Sequence, residues 1–558
     1  MRLFHRTFLI LFFAFGILTS NLSAQAGFFT KVSPKGIDPI EAIENIEKIS
    51  VYTVNEIALR KYLDDAPLEF QNNGVYLPLE IPLPNGKTEV FNMVESPILA
   101  PAIAAENPLI KTYTGNGQKN KQYIVRLSLT TSGFNAIILN VDNDAVYFQS
   151  YTKERSNYYF NYFAKDARVP DGMSTPQCQV GLDAVDDKSK PTPSLKNMTG
   201  DQLRTYRLAI ACTGEFGTRH GGTAASAFNV VVGYVNRMNA VYRNDLSVHF
   251  NLVSGQNLVY TNGATDPYTN SDESIMLGEN QTNIDNVIGA ANYDVGHVLG
   301  TTGGSGGGVA TSPCVCDSDK AQGASKEGDV NSFGQVFFDQ LLFHETGHQF
   351  GMSHSYNSSI PVCTTRNPST SVEPGSGATI MSYGFTCGTD DYTNSTMVGP
   401  ILKFHTISYS QAEDWINGTR VINGVSGDCF VGTNTGNSIP VVTMPANLTI
   451  PSSTPFSLTG SATDADQDNL TYDWEGIDTG ASAPDASTLD DTSEPPFFRS
   501  YEADNAPTRT FPILGSILDG TNQAKGDKLP SIGITTNLRM TVRDNNAAGG
   551  GVAFGTID

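Results

Sequence analysis

Three of the chain's eight histidines fall within eleven residues, His344-Glu345-Thr346-Gly347-His348-Gln349-Phe350-Gly351-Met352-Ser353-His354. Chance yields this template on the order of 10⁻⁵ times per chain. His344 and His348 are four apart, so on a helix both imidazoles lie on one face and can reach one ion. Gly351 permits the left-handed backbone that ends a helix and turns the chain, which brings His354 round as a third ligand. Three neutral nitrogens with an open fourth position form the donor set of a catalytic zinc site rather than a closed structural one. Glu345, beside the first ligand, is expected to act as general base toward an attacking water. A metal site without catalysis would have no need of a carboxylate there.

Elements must hold these residues in place. Val336 to Phe350 is an apolar helix candidate, with Phe337, Phe338, Leu341, Leu342 and Phe343 available for burial. Upstream, Tyr206 to Ala211, Leu246 to Val253 and Asp294 to Leu299 have strand character. Thr223 to Tyr242 and Thr282 to Ala291 have helical spacing. This β-α-β-α-β order predicts a largely parallel sheet covered by helices. Gly303 to Gly308 is expected to be a flexible connection, and the stretch from about 355 to 435 to be loop-rich.

Flanking units follow from composition. A length of 558 residues exceeds one hydrophobic core, and about three or four domains are expected. Residues 1–26 carry Arg2, Arg6, the apolar run Phe8 to Leu18 and the small-residue site Ala24-Gln25-Ala26. Together these form a secretory signal peptide too short to stay as an anchor. Residues 27–198 are expected to form an α+β unit, with a helix over Ile40 to Leu63 and strands at 75–79, 122–129 and 135–141. It ends in the polar linker Asp186 to Pro193. The catalytic segment is placed at 199–435. Short strands separated by turns over 436–558 predict a β-sandwich of immunoglobulin or fibronectin type. Gly555 to Asp558 ends within a strand-like run, as if the natural chain continued. The formal charge of −22, from 57 acidic and 35 basic residues, argues against nucleic acid as a partner. No later stretch is long and apolar enough to span a membrane, and a secreted, extracellular monomer is expected.

The extended zinc motif resembles that of the metzincin metallopeptidases, and Glu373-Pro374-Gly375-Ser376-Gly377-Ala378-Thr379-Ile380-Met381 resembles secreted bacterial reprolysin-like (adamalysin-related) members in particular. So does Thr205 to Glu215. The resemblance implies a zinc endopeptidase acting on proteins or peptides, with a mixed α/β catalytic domain, an active-site helix and a methionine turn. Met381 would sit in that turn, its other reading being core filler. Tyr383 would either contact the metal or pack beside it. An extended substrate would lie along a sheet edge, for which Gly307 to Ala310 is the candidate, against a plain Gly-rich loop. Metzincin propeptides often place a cysteine on the zinc, which implies a cysteine switch for Cys178 in an inhibitory prodomain.

The other six cysteines, Cys212 to Cys429, can form three bridges among themselves, Cys363 with Cys387 first because they flank the methionine turn. A disulfide between Cys178 and one of them is the alternative to the switch. Asp464, Asp466 and Asp468 alternate as calcium ligands do, but Asn469 and the strand-like flanks exclude an EF-hand, leaving a loop calcium site or a metal-free acidic turn. From a different class, an adhesion or binding protein with an inactive peptidase-like domain would fit the same architecture.

Overall fold

The computed structural model describes residues 27–168, 177–178, 198–303, 306–328, 335–358, 363, 365–384, 387–391, 401–480, 489, 491–522 and 524–558. The expected signal peptide and the linker at 186–193 lie outside these residues.

Alternating apolar residues build the first sheet. Leu77, Leu79 and Ile81 point inward along one strand, as Phe91 and Met93 do along the next. The strands are Phe29–Lys31 (β1), Ser50–Val54 (β2), Leu77–Pro82 (β3), Thr88–Glu95 (β4), Lys111–Gly117 (β5), Ile124–Thr130 (β6), Gly133–Leu139 (β7), Val146–Ser150 (β8) and Tyr158–Phe163 (β9). They form one antiparallel sheet ordered β1-β2-β9-β8-β7-β6-β5-β4-β3, joined by helices Glu56–Leu63 (α1) and Pro101–Glu106 (α2). Of the helix expected over Ile40 to Leu63, only the last third is α-helical, with a single 3-10 helix at Glu41–Asn45 before it. Ser50-Val51-Tyr52-Thr53-Val54 is rich in β-branched residues, and β1 and β9 recruit it as a strand.

The second sheet carries the chemistry. Gln177–Cys178 (β10), Gln202–Cys212 (β11), Val248–Leu252 (β12), Val295–Thr301 (β13), Gly307–Ala310 (β14) and Gly323–Glu327 (β15) are ordered β10-β14-β15-β13-β11-β12. β12, β11, β13 and β15 are parallel, and β14 runs antiparallel to β15. Helices Gly214–Arg219 (α3), Ala224–Leu246 (α4), Glu273–Val287 (α5) and Gln335–Gln349 (α6) pack on this sheet. α5 starts nine residues before the expected helix because the Asp272 carboxylate accepts from the Ser274 and Ile275 amides and caps it there. Gly307 and Gly308 are not a loose connection but a buried strand.

Beyond α6 the expected loops dominate, with two short parallel strands, Tyr356–Asn357 (β16) and Glu373–Pro374 (β17), and the unanticipated helix Thr406–Ile416 (α7). Val431–Asn434 (β18) returns to pair with β11. The last unit contains Val441–Thr443 (β19), Phe456–Thr459 (β20), Ser461–Thr463 (β21), Thr471–Gly476 (β22), Thr508–Phe511 (β23), Leu514–Leu518 (α8), Leu538–Arg543 (β24) and Val552–Ile557 (β25). Its strands make the small antiparallel sheets β19-β21, β20-β23 and β22-β24-β25 around Trp474, Phe498, Phe511 and Met540. Among the described residues, no helix is long and apolar enough to cross a membrane.

Candidate metal centre

α6 is buried from Val336 to Gln349, and its position is set from outside. Asp339 on its first turns takes two hydrogen bonds from Arg237 of α4, at 2.6 and 2.9 Å. Tyr242 Oη donates to the Phe343 carbonyl at 2.8 Å. The helix then stops at Gly351, whose φ of 86° only glycine adopts without strain. The Met352 amide folds back onto the Gly347 carbonyl at 3.1 Å, and the chain returns to deliver His354.

The three Nε2 atoms of His344, His348 and His354 lie 3.1, 3.2 and 3.2 Å apart. Each Nδ1 faces a backbone carbonyl: Ile380 at 2.7 Å, Met352 at 2.7 Å and Thr365 at 2.6 Å. A carbonyl can only accept, so each Nδ1 carries the proton and each Nε2 offers a lone pair to the shared centre. Burial keeps the rings neutral, pushing His348 down to about 4 and His344 and His354 well below the usual histidine range. Zinc with nitrogen ligands at roughly 2.0–2.1 Å in a tetrahedron requires ligand separations of about 3.3 Å, which these atoms nearly match. Among the described residues, these three form the one cluster of metal-ligating side chains.

Glu345 is fully buried beside this centre. β14 passes directly against it: a Cβ on Gly308 would fall 2.5 Å from the Glu345 Cγ and Oε1. Met381 sits beneath the ligand helix, where a Cβ on Gly347 would fall 2.5 Å from its Sδ. Tyr383 is 7% exposed, with its ring 4.9 Å from that of His354 and 4.6 Å from that of Tyr356. Thr365 Oγ1 meets the hydroxyls of Tyr356 and Tyr383 at 2.9 and 2.8 Å, so both tyrosines brace the residue that holds His354.

Residues 202–399 match metallo-peptidase family M12B, reprolysin-like. This segment is a reprolysin-like metallopeptidase domain. The segment is therefore that of a metalloendopeptidase, of a family that uses zinc, and the three histidines form a group that could hold a metal ion. No curated protein matches the chain.

Sequence reading passed over one residue that organises the peptidase site. Glu373 is fully buried, and its carboxylate accepts from Ser355 Oγ at 2.7 Å, from the Ala378 amide at 2.8 Å, from the Thr379 amide at 3.2 Å and from the Thr379 hydroxyl. It ties the strand after His354 to the turn whose Ile380 carbonyl orients His344. The signal was a glutamate beside Pro374 and Gly375, read only as context for Met381.

Two disulfides support the peptidase domain, Cys316–Cys429 and the anticipated Cys363–Cys387. The expected third bridge does not form. Cys212 and Cys314 are free and fully buried, packed as small core side chains. Cys178 pairs through its backbone with Gly308, parallel to β14, while its side chain lies outside the described residues. Asp464, Asp466 and Asp468 do not converge on a common point. Asp464 accepts from the amides of residues 466 and 468, Asp466 from the Ser438 amide and Asp468 from Asn546, so these carboxylates tie loops together.

Proposed function

We propose that the chain is a secreted zinc endopeptidase made as a zymogen, with Glu345 as its general base and Cys178 as its latency residue. The observation that carries this reading is the convergence of three neutral Nε2 atoms beside a buried carboxylate, under a glycine strand at the sheet edge. Zinc held there supplies Lewis acidity, bringing a water's pKa to roughly 7 and polarising a peptide carbonyl. His344, His348 and His354 are oriented by their Nδ1 bonds and stay neutral, so they act as donors and not as acids. Glu345 takes the proton of the attacking water on its carboxylate and hands it to the departing amine nitrogen, which leaves uncharged. β14 offers backbone groups to an extended substrate, and main-chain hydrogen bonds give affinity with little dependence on side chains.

Latency follows from the same edge. Gln177 and Cys178 pair with Gly307 and Gly308, where a substrate strand would add. Because Gly308 lies against Glu345, a cysteine paired with it is close enough to the centre to support a thiolate plug. The signal-like residues 1–26 support export, and the small antiparallel sheets of 436–558 support a β-sandwich accessory domain.

Protein purified from culture medium should cleave casein, lose that activity to a zinc chelator and regain it with added zinc. Glu345→Ala should bind one zinc per chain and cleave nothing; cleavage at the wild-type rate by this variant would remove Glu345 from the mechanism. Cys178→Ser should raise the activity of the uncut precursor at least tenfold, and an unchanged precursor would eliminate the cysteine as the plug.

A further inference from the structure

α4 has little exposed surface for so long a helix: 19 of its 23 residues are buried. A helix lying on one side of a sheet ordinarily keeps a polar face in water. Its polar residues are present, yet they do not face water. Asn229, Asn236 and Arg243 are spaced by seven, hence on one stripe, and each donates into the 27–168 unit. Asn229 Nδ2 reaches Thr131 Oγ1 and Ser132 Oγ at 2.7 and 2.8 Å, and Asn236 Nδ2 reaches Ser128 Oγ at 2.9 Å. Arg243 pairs with Glu69 at 2.7 Å and reaches Ser96 Oγ at 3.2 Å. Arg237, one residue from the stripe, adds a bond to Asn135 Oδ1 at 2.9 Å. The β6–β7 hairpin therefore lies along the helix from Asn229 to Arg237, and Glu69 and Ser96 meet it at Arg243.

Two more features join the units. β12 is the edge of the catalytic sheet, and the 27–168 unit covers it: the Leu252 amide donates to the Ile98 carbonyl at 2.6 Å and the Ala100 amide to the Leu252 carbonyl at 2.9 Å. The cores also merge, since Leu99, Ile124, Ile137 and Tyr147 belong to the same apolar cluster as Val231, Val235 and Phe343. Departure of the unit would uncover apolar surface, an unpaired strand edge and a buried arginine in one step. Each of these is costly or aggregation-prone.

We infer that residues 27–168 are not shed on activation but stay bound as a non-covalent light chain of the mature enzyme, release of latency being confined to the Gln177–Cys178 strand. That inference rests on the zymogen reading for its biological setting, while the interface itself does not depend on it. β10 contributes one short pairing to β14, whereas α4 and β12 carry the interface; the two can separate.

The test uses the full chain carrying Glu345→Ala, to prevent self-cleavage, with a recognition site for a specific protease in place of residues 186–193. After cutting, native mass spectrometry and size exclusion should give one species with the mass of both fragments, parted only by denaturant. Glu69→Ala in the same chain should weaken the cut complex at least tenfold on dilution while leaving the uncut chain folded. Separation of the fragments in native buffer, whether the larger one stays soluble or aggregates, overturns the inference. Cutting the active chain at the same site tests the other reading separately: an intact complex without a rise in peptidase activity would remove the zymogen and keep the light chain.

Discussion

A methyl group at position 308 has no room. It would fall 2.5 Å from the Glu345 side chain, so either the carboxylate or the strand must shift by close to an ångström. Displacements of that size at a reacting centre cost on the order of 100-fold in rate. Gly308→Ala should therefore lower kcat/KM on a peptide substrate by about that factor while one zinc per chain is retained, measured together on the same preparation. Glu373 acts at one remove. Its four accepted hydrogen bonds hold the turn that orients His344 to the strand that presents His354. Glu373→Gln replaces one accepting oxygen by a donor, and zinc affinity should fall about 10–100-fold, as expected for loss of an outer-sphere anchor. At saturating zinc kcat should largely recover; a kcat that stays low would give Glu373 a part in the reaction itself. The ligands were legible because i, i+4 spacing and a following glycine encode their geometry locally. Glu373 was not, because its partners at 355, 378 and 379 meet it only through the fold.

Elements show the same division. α4, α6 and β11 were readable from long apolar periodicities that no tertiary contact had to overrule. Residues 50–54 satisfied a helical spacing and a strand composition at once, and the sheet decided between them. α7 was missed because Thr406-Ile407-Ser408-Tyr409-Ser410 has weak helix propensity. Arg539 of β24 bonds Thr406 and Ser410 at its start, an interaction between segments more than a hundred residues apart. The Arg237–Asp339 pair joins the Tyr242–Phe343 bond in linking α4 to α6, and both of its side chains are almost fully buried. Asp339→Ala leaves a buried guanidinium without its counter-charge and should cost about 3–5 kcal/mol in urea unfolding. A loss below 1 kcal/mol would show that water or Asn135 replaces the carboxylate. The Cys363–Cys387 bridge closes a 24-residue span around β17 and the methionine turn. Cys387→Ser should cost about 3 kcal/mol and expose that span to added protease before the rest of the domain.

Across the whole molecule, the three units meet at a charged junction. Asp144 of the 27–168 unit, Asp245 and Lys403 of the peptidase domain, and Arg543 of the last unit line one small cavity. Arg543 pairs with Asp245 at 2.9 Å, and Asn545 and Ala547 bond Asn116 across the same seam. Burial raises the Asp144 carboxyl to about 7, partly offset by Lys165. A carboxyl raised on folding favours the protonated state, so its stabilisation is complete below pH 4 and is lost as pH rises to about 7. Asp144→Asn should flatten the fall in unfolding free energy between pH 4 and 7 by up to roughly 4 kcal/mol relative to wild type, read from urea midpoints at each pH. Parallel pH profiles would show that Asp144 is hydrated in solution. The sequence alone singled out the three histidines that cluster, the glutamate beside them, a metallopeptidase segment and the Cys363–Cys387 bridge, since each depends on neighbours in the chain or on donor chemistry that spacing encodes. Only the tertiary structure decided that Cys212 and Cys314 stay unpaired, that Glu373 secures the turn, that Gly308 is a strand against Glu345 and that α4 is enclosed by another unit. Those outcomes depend on which distant surfaces come to share one interior, and local periodicity carries no record of that.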